Sequence, residues 1–169
     1  MDLVVKRVGD GWQARYGDKA WKASVGRGGI RAEKVEGDGV SPIGCWPIRK
    51  VFYRADKLDA APVSVFETVA IDAQDGWCDA PDHRDYNRQV RLPFDASHEE
   101  MWRADGLYDI VVVLGQNDDP VVPGAGSAIF LHVASENYGP TAGCAALTLE
   151  DLREFLAMAR PGTRLCFTG

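Results

Sequence analysis

Short alternations of apolar and polar residues, separated by glycine-containing turns, fill the start of the chain. Residues 2–8, 11–16 and 19–25 are each rich in β-branched or aromatic side chains, and Gly-Asp dipeptides separate them. Runs of this kind, joined by such short turns, are typical of β-hairpins. The pattern predicts an antiparallel meander whose aromatic side chains pack in the sheet.

Further strands are predicted by apolar runs in the middle and at the end of the chain. These runs cover residues 46–53, 63–71, 108–114 and 163–167. The third run is almost continuously apolar, which is typical of a strand that is buried on both of its faces. It is therefore expected to lie inside the sheet rather than at its edge.

Helical periodicity is convincing in one segment only. From Leu149 to Ala159, apolar residues recur at spacings of three and four, and Thr148 with Asp151 resembles a capping box. We expect this helical segment to follow Cys144 directly. Residues 97–104 are interpreted as a short helical turn with a serine at its N-cap.

These elements predict one mainly β domain over residues 1–169, a β-sandwich or partly closed barrel with one or two short helices. The chain is 46% apolar, which is enough for a proper core. Its net charge is −6 and no basic stripe is present, so nucleic acid is not an expected partner. No apolar run approaches the roughly 18 residues that a membrane span needs.

The candidate chemistry is concentrated in residues 127–147. An apolar run ends in His132, and a turn of small residues leads to Cys144 twelve positions later. A neighbouring imidazole can accept the proton of a thiol and stabilise the thiolate that attacks a carbonyl. Small neighbours such as Gly143 let a substrate approach and let backbone amides stabilise an oxyanion. A buried structural cysteine and a hydrogen-bonded core histidine are the alternative.

Residues 75–93 are interpreted as a long polar loop, which is unusual in a compact domain and often functional. The loop carries hydrogen-bonding side chains suited to peptide or carboxylate recognition. A second loop, 115–120, leads to the histidine strand and supplies another polar side chain. The candidate substrate-binding residues, including two from the turn before the cysteine, are Tyr86, Asn87, Arg91, Asn117, Thr141 and Ala142.

No metal or disulfide is expected. Cys78, His83 and His98 fit no usual zinc-ligand spacing. Four cysteines are too few for a disulfide scaffold in a chain of this length. If Cys144 must stay free as a nucleophile, at most one bridge can form among the other three, and we expect none. These three are Cys45, Cys78 and Cys166.

Several segments resemble the catalytic domain of YkuD-type L,D-transpeptidases, in their compact bacterial branch. The match rests on LHV at 131–133 and PTAGCAAL at 140–147, and on GDGVSPIGCWPI at 37–48. The segments 75–93 and 108–133 are also similar. Together the resemblance covers roughly residues 25–168, and it implies the mainly β YkuD fold.

The resemblance implies a mechanism as well. Cys144 is expected to attack the carbonyl after the L-centre of the third residue in a peptidoglycan stem tetrapeptide, giving a thioester. His132 would be the general base and then the acid, and the amides of Gly143 and Cys144 would form the oxyanion hole. No cofactor is implied. One departure stands out, because Ala145-Ala146 replace the Ile/Val-Arg that follows the cysteine in better-known members.

The implied substrate is peptidoglycan, and no protein partner is predicted. The bond made stays open between 3→3 cross-links, 1→3 cross-links and hydrolysis. An L,D-carboxypeptidase or amidase acting on stem peptides or recycled wall fragments, and a non-catalytic stem-peptide-binding module, are the alternatives. The resemblance places the protein in the periplasm or cell envelope. However, the first residues show no signal peptide, which favours a cytoplasmic alternative.

Overall fold

The computed structural model describes all residues 1–169 and contains fourteen strands and one helix. The strands, in chain order, are β1 Leu3–Val8, β2 Gly11–Tyr16, β3 Lys19–Ala23, β4 Ile30–Arg31, β5 Ser41–Pro42, β6 Gly44–Tyr53, β7 Thr68–Ala70, β8 Asp75–Cys78, β9 Gln89–Arg91, β10 His98–Glu100, β11 Ile110–Leu114, β12 Phe130–Val133, β13 Ala145–Leu147 and β14 Arg164–Phe167. The helix, α1, spans Leu149–Met158.

One large sheet follows the order β13-β12-β11-β6-β14-β1-β2-β3, with β7 beside β6. Its two edges meet, because Ser24 and Ala146 exchange two backbone hydrogen bonds of 2.9 Å. The sheet is therefore nearly closed. A closed sheet leaves few unpaired edge groups, which is how small β domains avoid edge-to-edge association. The predicted mainly β, partly closed barrel is confirmed.

The predicted meander is confirmed by the antiparallel pairing of β1 with β2 and of β2 with β3. Tyr16 and Trp21 are buried at its inner face. Both rings contact the ring of Phe155 edge-on, at centroid distances of 5.4 and 6.3 Å. The meander and the helix thus share one core.

The alternation of side chains along β11 divides the core into two. Ile110, Val112 and Leu114 pack inside the barrel with α1. Val111 and Val113 point to the opposite face, where a second sheet of order β10-β8-β9 covers them. The prediction that this strand is buried on both faces is confirmed. The outer core is the one that reaches the candidate catalytic residues, because Cys144 belongs to it.

The helix is capped as predicted, with the Thr148 hydroxyl accepting a hydrogen bond from the amide of Asp151 at 3.1 Å. The expectation that helix follows Cys144 directly is wrong. Strand β13 intervenes and pairs in parallel with β12. Its buried backbone groups need partners, and the neighbouring strand and Ser24 supply them.

Three further expectations are corrected by strand pairing. Residues 75–93 are not one long loop, since they contain β8 and β9, which pair with each other. Residues 97–104 contain β10 instead of a helical turn, and β10 pairs with β8. The strand predicted at 63–71 is limited to β7. The pairing partners of β8 and β10 lie in other segments of the chain, and this pairing outweighs local propensity.

The expectation of no disulfide is wrong. Cys45 in β6 and Cys166 in β14 lie directly opposite each other and are bonded, although 121 positions separate them. Cys78 and Cys144 are free and buried. The structure contains no helix with the length and apolar character that crossing a membrane requires.

Candidate active site

His132 and Cys144 line the same cavity, which has a volume of about 310 Å³. His132 is the third residue of β12, and Cys144 immediately precedes β13. The two strands are adjacent and parallel, and His132 lies opposite Ala146, the second residue after Cys144. His132 is on a strand, as the apolar run before it predicts, whereas the element that follows Cys144 is a strand and not the expected helix.

The Cys144 thiol is buried and already hydrogen-bonded. Sγ–H donates to the carbonyl of Ala128 at 3.2 Å, and Sγ accepts from the amide of Phe130 at 3.3 Å. Burial raises the pKa of Cys144 to about 12, and the Glu99 carboxylate adds to this effect. The resting Cys144 side chain is therefore a neutral thiol.

The His132 ring is oriented by its own backbone neighbour. Nδ1 lies 2.9 Å from the carbonyl oxygen of Val133, which can only accept, so Nδ1 carries the proton and Nε2 the lone pair. Tyr108 packs beside the ring, with 5.4 Å between centroids. Burial lowers the pKa of His132 to about 4, so the imidazole is neutral and able to act as a base.

The turn before Cys144 depends on Gly143, whose φ of 141° lies in the region that favours glycine. A Cβ at this position would lie 2.9 Å from the carbonyl oxygen of Val40. The Thr141 hydroxyl donates to the carbonyl of Cys144 at 2.6 Å and accepts from the amide of Gly143 at 3.1 Å. The Cys144 amide has no acceptor in the protein, so of the two predicted oxyanion donors it is the one left free.

The Gly-Asp-Gly-Val-Ser-Pro segment supports this turn. Asp38 accepts hydrogen bonds from the amides of Val35 and Val40 and from the Lys34 ammonium, which fixes the loop. The buried Ser41 hydroxyl then donates to the carbonyl of Gly143. The segment therefore supports the backbone of the turn before Cys144.

Of the predicted substrate-binding residues, Thr141 and Ala142 line the cavity. Tyr86 lies behind its wall and donates a hydrogen bond to Glu36 at 2.7 Å. Asn87 is buried, and its Oδ1 accepts from Trp77 and from the amide of Ala128. Because Ala128 also bonds the thiol, Asn87 contacts the site indirectly.

The remaining two predicted residues lie away from the cavity. Arg91, on β9, pairs with Asp72 and Asp75. Asn117 has a φ of 54° and holds its loop through hydrogen bonds with Val122 and Gly126. Both side chains make their polar contacts with other residues of the protein.

Sequence reasoning missed most of the charged wall of the cavity. Asp79 and Ser127 lie in the segments 75–93 and 127–147 but were not assigned a role. No motif marked the other positions, and Glu99 was assigned to a helical turn instead of β10. The polar tip of Tyr108, at the entrance to an apolar strand, was the one signal that the pattern offered. The missed residues are Arg27, Lys34, Glu36, Asp79, Glu99, Arg103, Tyr108 and Ser127.

Comparison with known proteins gives one finding. The family model of the L,D-transpeptidase catalytic domain, YkuD, matches residues 8–165, which is nearly the whole chain. No curated protein and no solved structure matches. The fold described above, a nearly closed β barrel with one helix, agrees with that family. The chain therefore belongs to the YkuD family of L,D-transpeptidase catalytic domains.

Proposed function

We propose that this protein is a cysteine-dependent L,D-transpeptidase that acts on peptidoglycan stem peptides through a thioester acyl-enzyme. The observation that supports this most directly is the shared cavity. A thiol and a neutral imidazole, whose Nε2 carries the lone pair, lie on its wall, the imidazole on β12 and the thiol just before the adjacent strand β13. A module that only binds peptides would need neither group.

In the first half-reaction, Sγ of Cys144 attacks the carbonyl carbon of the third stem residue, and Nε2 of His132 accepts the thiol proton. The Cys144 amide donates a hydrogen bond to the developing oxyanion. When the tetrahedral intermediate collapses, the C–N bond breaks and the imidazolium protonates the departing amine of the terminal D-amino acid. The product is a thioester on Cys144.

In the second half-reaction, an acceptor attacks the thioester carbonyl and regenerates the thiol. A side-chain amine of another stem gives a cross-link, whereas water gives the L,D-carboxypeptidase reaction. His132 accepts the proton of either nucleophile. Neither half-reaction requires a cofactor.

Donor recognition in this chain differs from the pattern of better-known members at Ala146. This residue lines the cavity at the position where better-known members carry arginine. An apolar methyl group supplies no charge to hold a stem carboxylate, so this chain must hold its donor through other cavity residues. Arg27, which lines the cavity and makes no ion pair, is the cation available for that role.

We propose the cell envelope as the working compartment. The Cys45–Cys166 disulfide supports this location, because disulfides persist in oxidising compartments and are rare in the cytosol. It counts against the cytoplasmic alternative.

The test is intact-protein mass spectrometry after incubation with a stem tetrapeptide or with a carbapenem, an acylating analogue. We expect one adduct on the wild type, which Cys144→Ala abolishes and Cys78→Ala, the matched buried free cysteine, retains. An adduct that persists in Cys144→Ala, or no adduct with either reagent, would contradict the proposal. Adding an acceptor amine to the acyl-enzyme then separates transfer from hydrolysis.

A further inference from the structure

Two of the three basic side chains on the cavity wall are neutralised by carboxylates. Lys34 forms an ion pair with Asp38, and Arg103 forms one with Asp105. The guanidinium of Arg103 also lies 4.9 Å from the centre of the Tyr108 ring. Lys34 and Arg103 therefore have little unpaired charge to offer a ligand. Arg27, which donates to the carbonyl of Gly37, is the one basic side chain on the wall without an ion pair.

The acidic side chains on the same wall have no such partners. Glu36 accepts from the hydroxyls of Tyr86 and Ser127, which are neutral. Glu99 accepts from the hydroxyl of Tyr108 at 3.1 Å and makes no ion pair. Asp79 has a buried oxygen, Oδ1, that has no hydrogen-bond partner at all. Three carboxylates without an ion pair outnumber the one such guanidinium, that of Arg27, so the uncompensated charge of the cavity is negative.

Glu99 is the carboxylate most affected by this arrangement. Burial raises its pKa, and the nearby carboxylates of Asp79 and Glu36 act in the same direction, against Tyr108 and Arg103. A bound cation would relieve both the mutual repulsion and the orphaned oxygen of Asp79. The cavity is thus built to receive positive charge beside Cys144.

The spacing of these carboxylates suits an organic cation rather than a metal ion. The one group of three potential ligand atoms that lie within 4.8 Å of one another is Asp2, Cys45 and Cys166, and two of these are joined in the disulfide. No three acidic oxygens on the cavity wall come this close. A primary ammonium, with three N–H donors, can bond to oxygens that are further apart.

We propose that Glu99, together with Asp79, binds the side-chain ammonium of a diamino acid at the third position of the donor stem, and is a specificity-determining residue. This inference rests on the proposed function. The donor is favoured over the acceptor, because an attacking amine must be neutral and a carboxylate would stabilise its unreactive protonated form.

Donor recognition would also prepare the nucleophile. The Glu99 charge is one of the causes that raise the pKa of the Cys144 thiol. An ammonium bound to Glu99 offsets this charge, so the thiol loses its proton to His132 more easily when the correct donor is present. A donor that lacks the ammonium would leave the thiol unactivated.

The experiment measures protection of Cys144 from iodoacetamide by donor peptides alone, read by mass in a Cys78→Ala background. Two stem tetrapeptides are compared, with lysine or its uncharged isostere norleucine at the third position. We expect the lysine peptide to protect at a roughly tenfold lower concentration, because a charge-assisted hydrogen bond is worth about that factor. In Glu99→Gln the preference should fall to near one.

Glu100→Gln, the exposed neighbour on the same strand, is the matched control and should keep the preference. Glu99→Gln should also alkylate faster than the wild type without peptide, a change that a purely structural role would not produce. Asp79→Asn is a second variant, to be used if Glu99→Gln does not fold. It should also weaken the preference for the lysine peptide.

Equal protection by the two peptides, an unchanged preference in the folded Glu99→Gln variant, or displacement of the lysine peptide by Mg²⁺ would overturn the assignment. Equal protection by a free acceptor amine would overturn the choice of the donor. Selective protection without any thioester or loss of the terminal residue would instead contradict the proposed function. Failure of the Glu99 assignment and failure of the proposed function therefore give different results.

Discussion

The hydroxyl of Ser41 donates a hydrogen bond to the backbone carbonyl of Gly143 at 2.7 Å, although 102 positions separate the two residues. The same hydroxyl oxygen accepts from the amide of Gly26 at 2.9 Å. Ser41 is fully buried. One side chain thus joins three segments of the chain next to Cys144.

Replacing Ser41 with alanine should impair both stability and acylation. Two buried backbone groups lose their partner, which costs about 1–3 kcal/mol for each group left unsatisfied. The nucleophile turn also loses its support, so acylation should slow by more than the loss of folded protein explains. Urea unfolding and the rate of adduct formation measure the two effects.

Ser97→Ala is the control for this change, because that serine is exposed and its hydroxyl makes no hydrogen bond. It should leave both quantities unchanged. A Ser41→Ala protein with wild-type acylation would show that the contact is not needed to hold the turn.

Replacing Gly143 with alanine should remove activity through a clash rather than through backbone strain alone. The new Cβ would meet the carbonyl oxygen of Val40 at 2.9 Å, and neither group is on a flexible side chain. Gly162→Ala separates the two causes, because its φ of 84° is also positive but nothing lies within 4 Å of a Cβ there. We expect adduct formation to be lost only in Gly143→Ala, and equal adduct yields in both variants would contradict this.

The stability of the protein should fall on acidification because of His132. Burial lowers its pKa from 6.5 to about 4. Below pH 6.5 the His132 side chain binds a proton in the unfolded chain, whereas in the folded protein it stays neutral down to about pH 4. Its contribution to stability is therefore complete above pH 6.5 and is lost as the pH falls from 6.5 to about 4. The loss is about 1.4 kcal/mol per pH unit.

Urea unfolding near pH 7.5 and pH 4.5, in the wild type and in His132→Asn, measures this effect. The wild type should lose about 2–3 kcal/mol more than the variant between the two pH values. The comparison removes the contributions of the other titrating groups, which both proteins share. Parallel losses in the two proteins would show that His132 is not buried in its neutral form.

Reduction of the Cys45–Cys166 disulfide should destabilise the protein. The bond closes a loop with a sequence separation of 121, so it restricts the unfolded chain strongly, and a loss of about 2–4 kcal/mol is expected. Denaturation with and without a reductant measures this loss. The Cys45→Ala/Cys166→Ala variant should match the reduced wild type and should not respond to the reductant, and a response there would assign the effect to another thiol.

Parts of the fold can be predicted from local patterns. The meander over residues 3–23 follows from short alternating runs and tight turns, because a hairpin turn fixes the register of its own strands. The helix after Thr148 follows from periodicity and a cap that lie within one segment. Neither prediction needs knowledge of distant residues.

Pairing between distant strands could not be predicted in this way. Residues 97–104 have a helical pattern locally, yet His98–Glu100 pair with Asp75–Cys78. The register that places Cys45 opposite Cys166 is likewise set by two strands far apart in the sequence. A strand needs hydrogen-bond partners from elsewhere, and these outweigh local propensity.

The sequence by itself determined the chemical pair, His132 and Cys144, and the family to which the chain belongs. Only the tertiary structure decided the protonation state of that pair and the charge of its cavity. A pKa depends on burial and on charges that distant segments bring within range. Lys34, Glu99 and Arg103 come from two such segments, and the spacing of the pair in the chain contains no information about them.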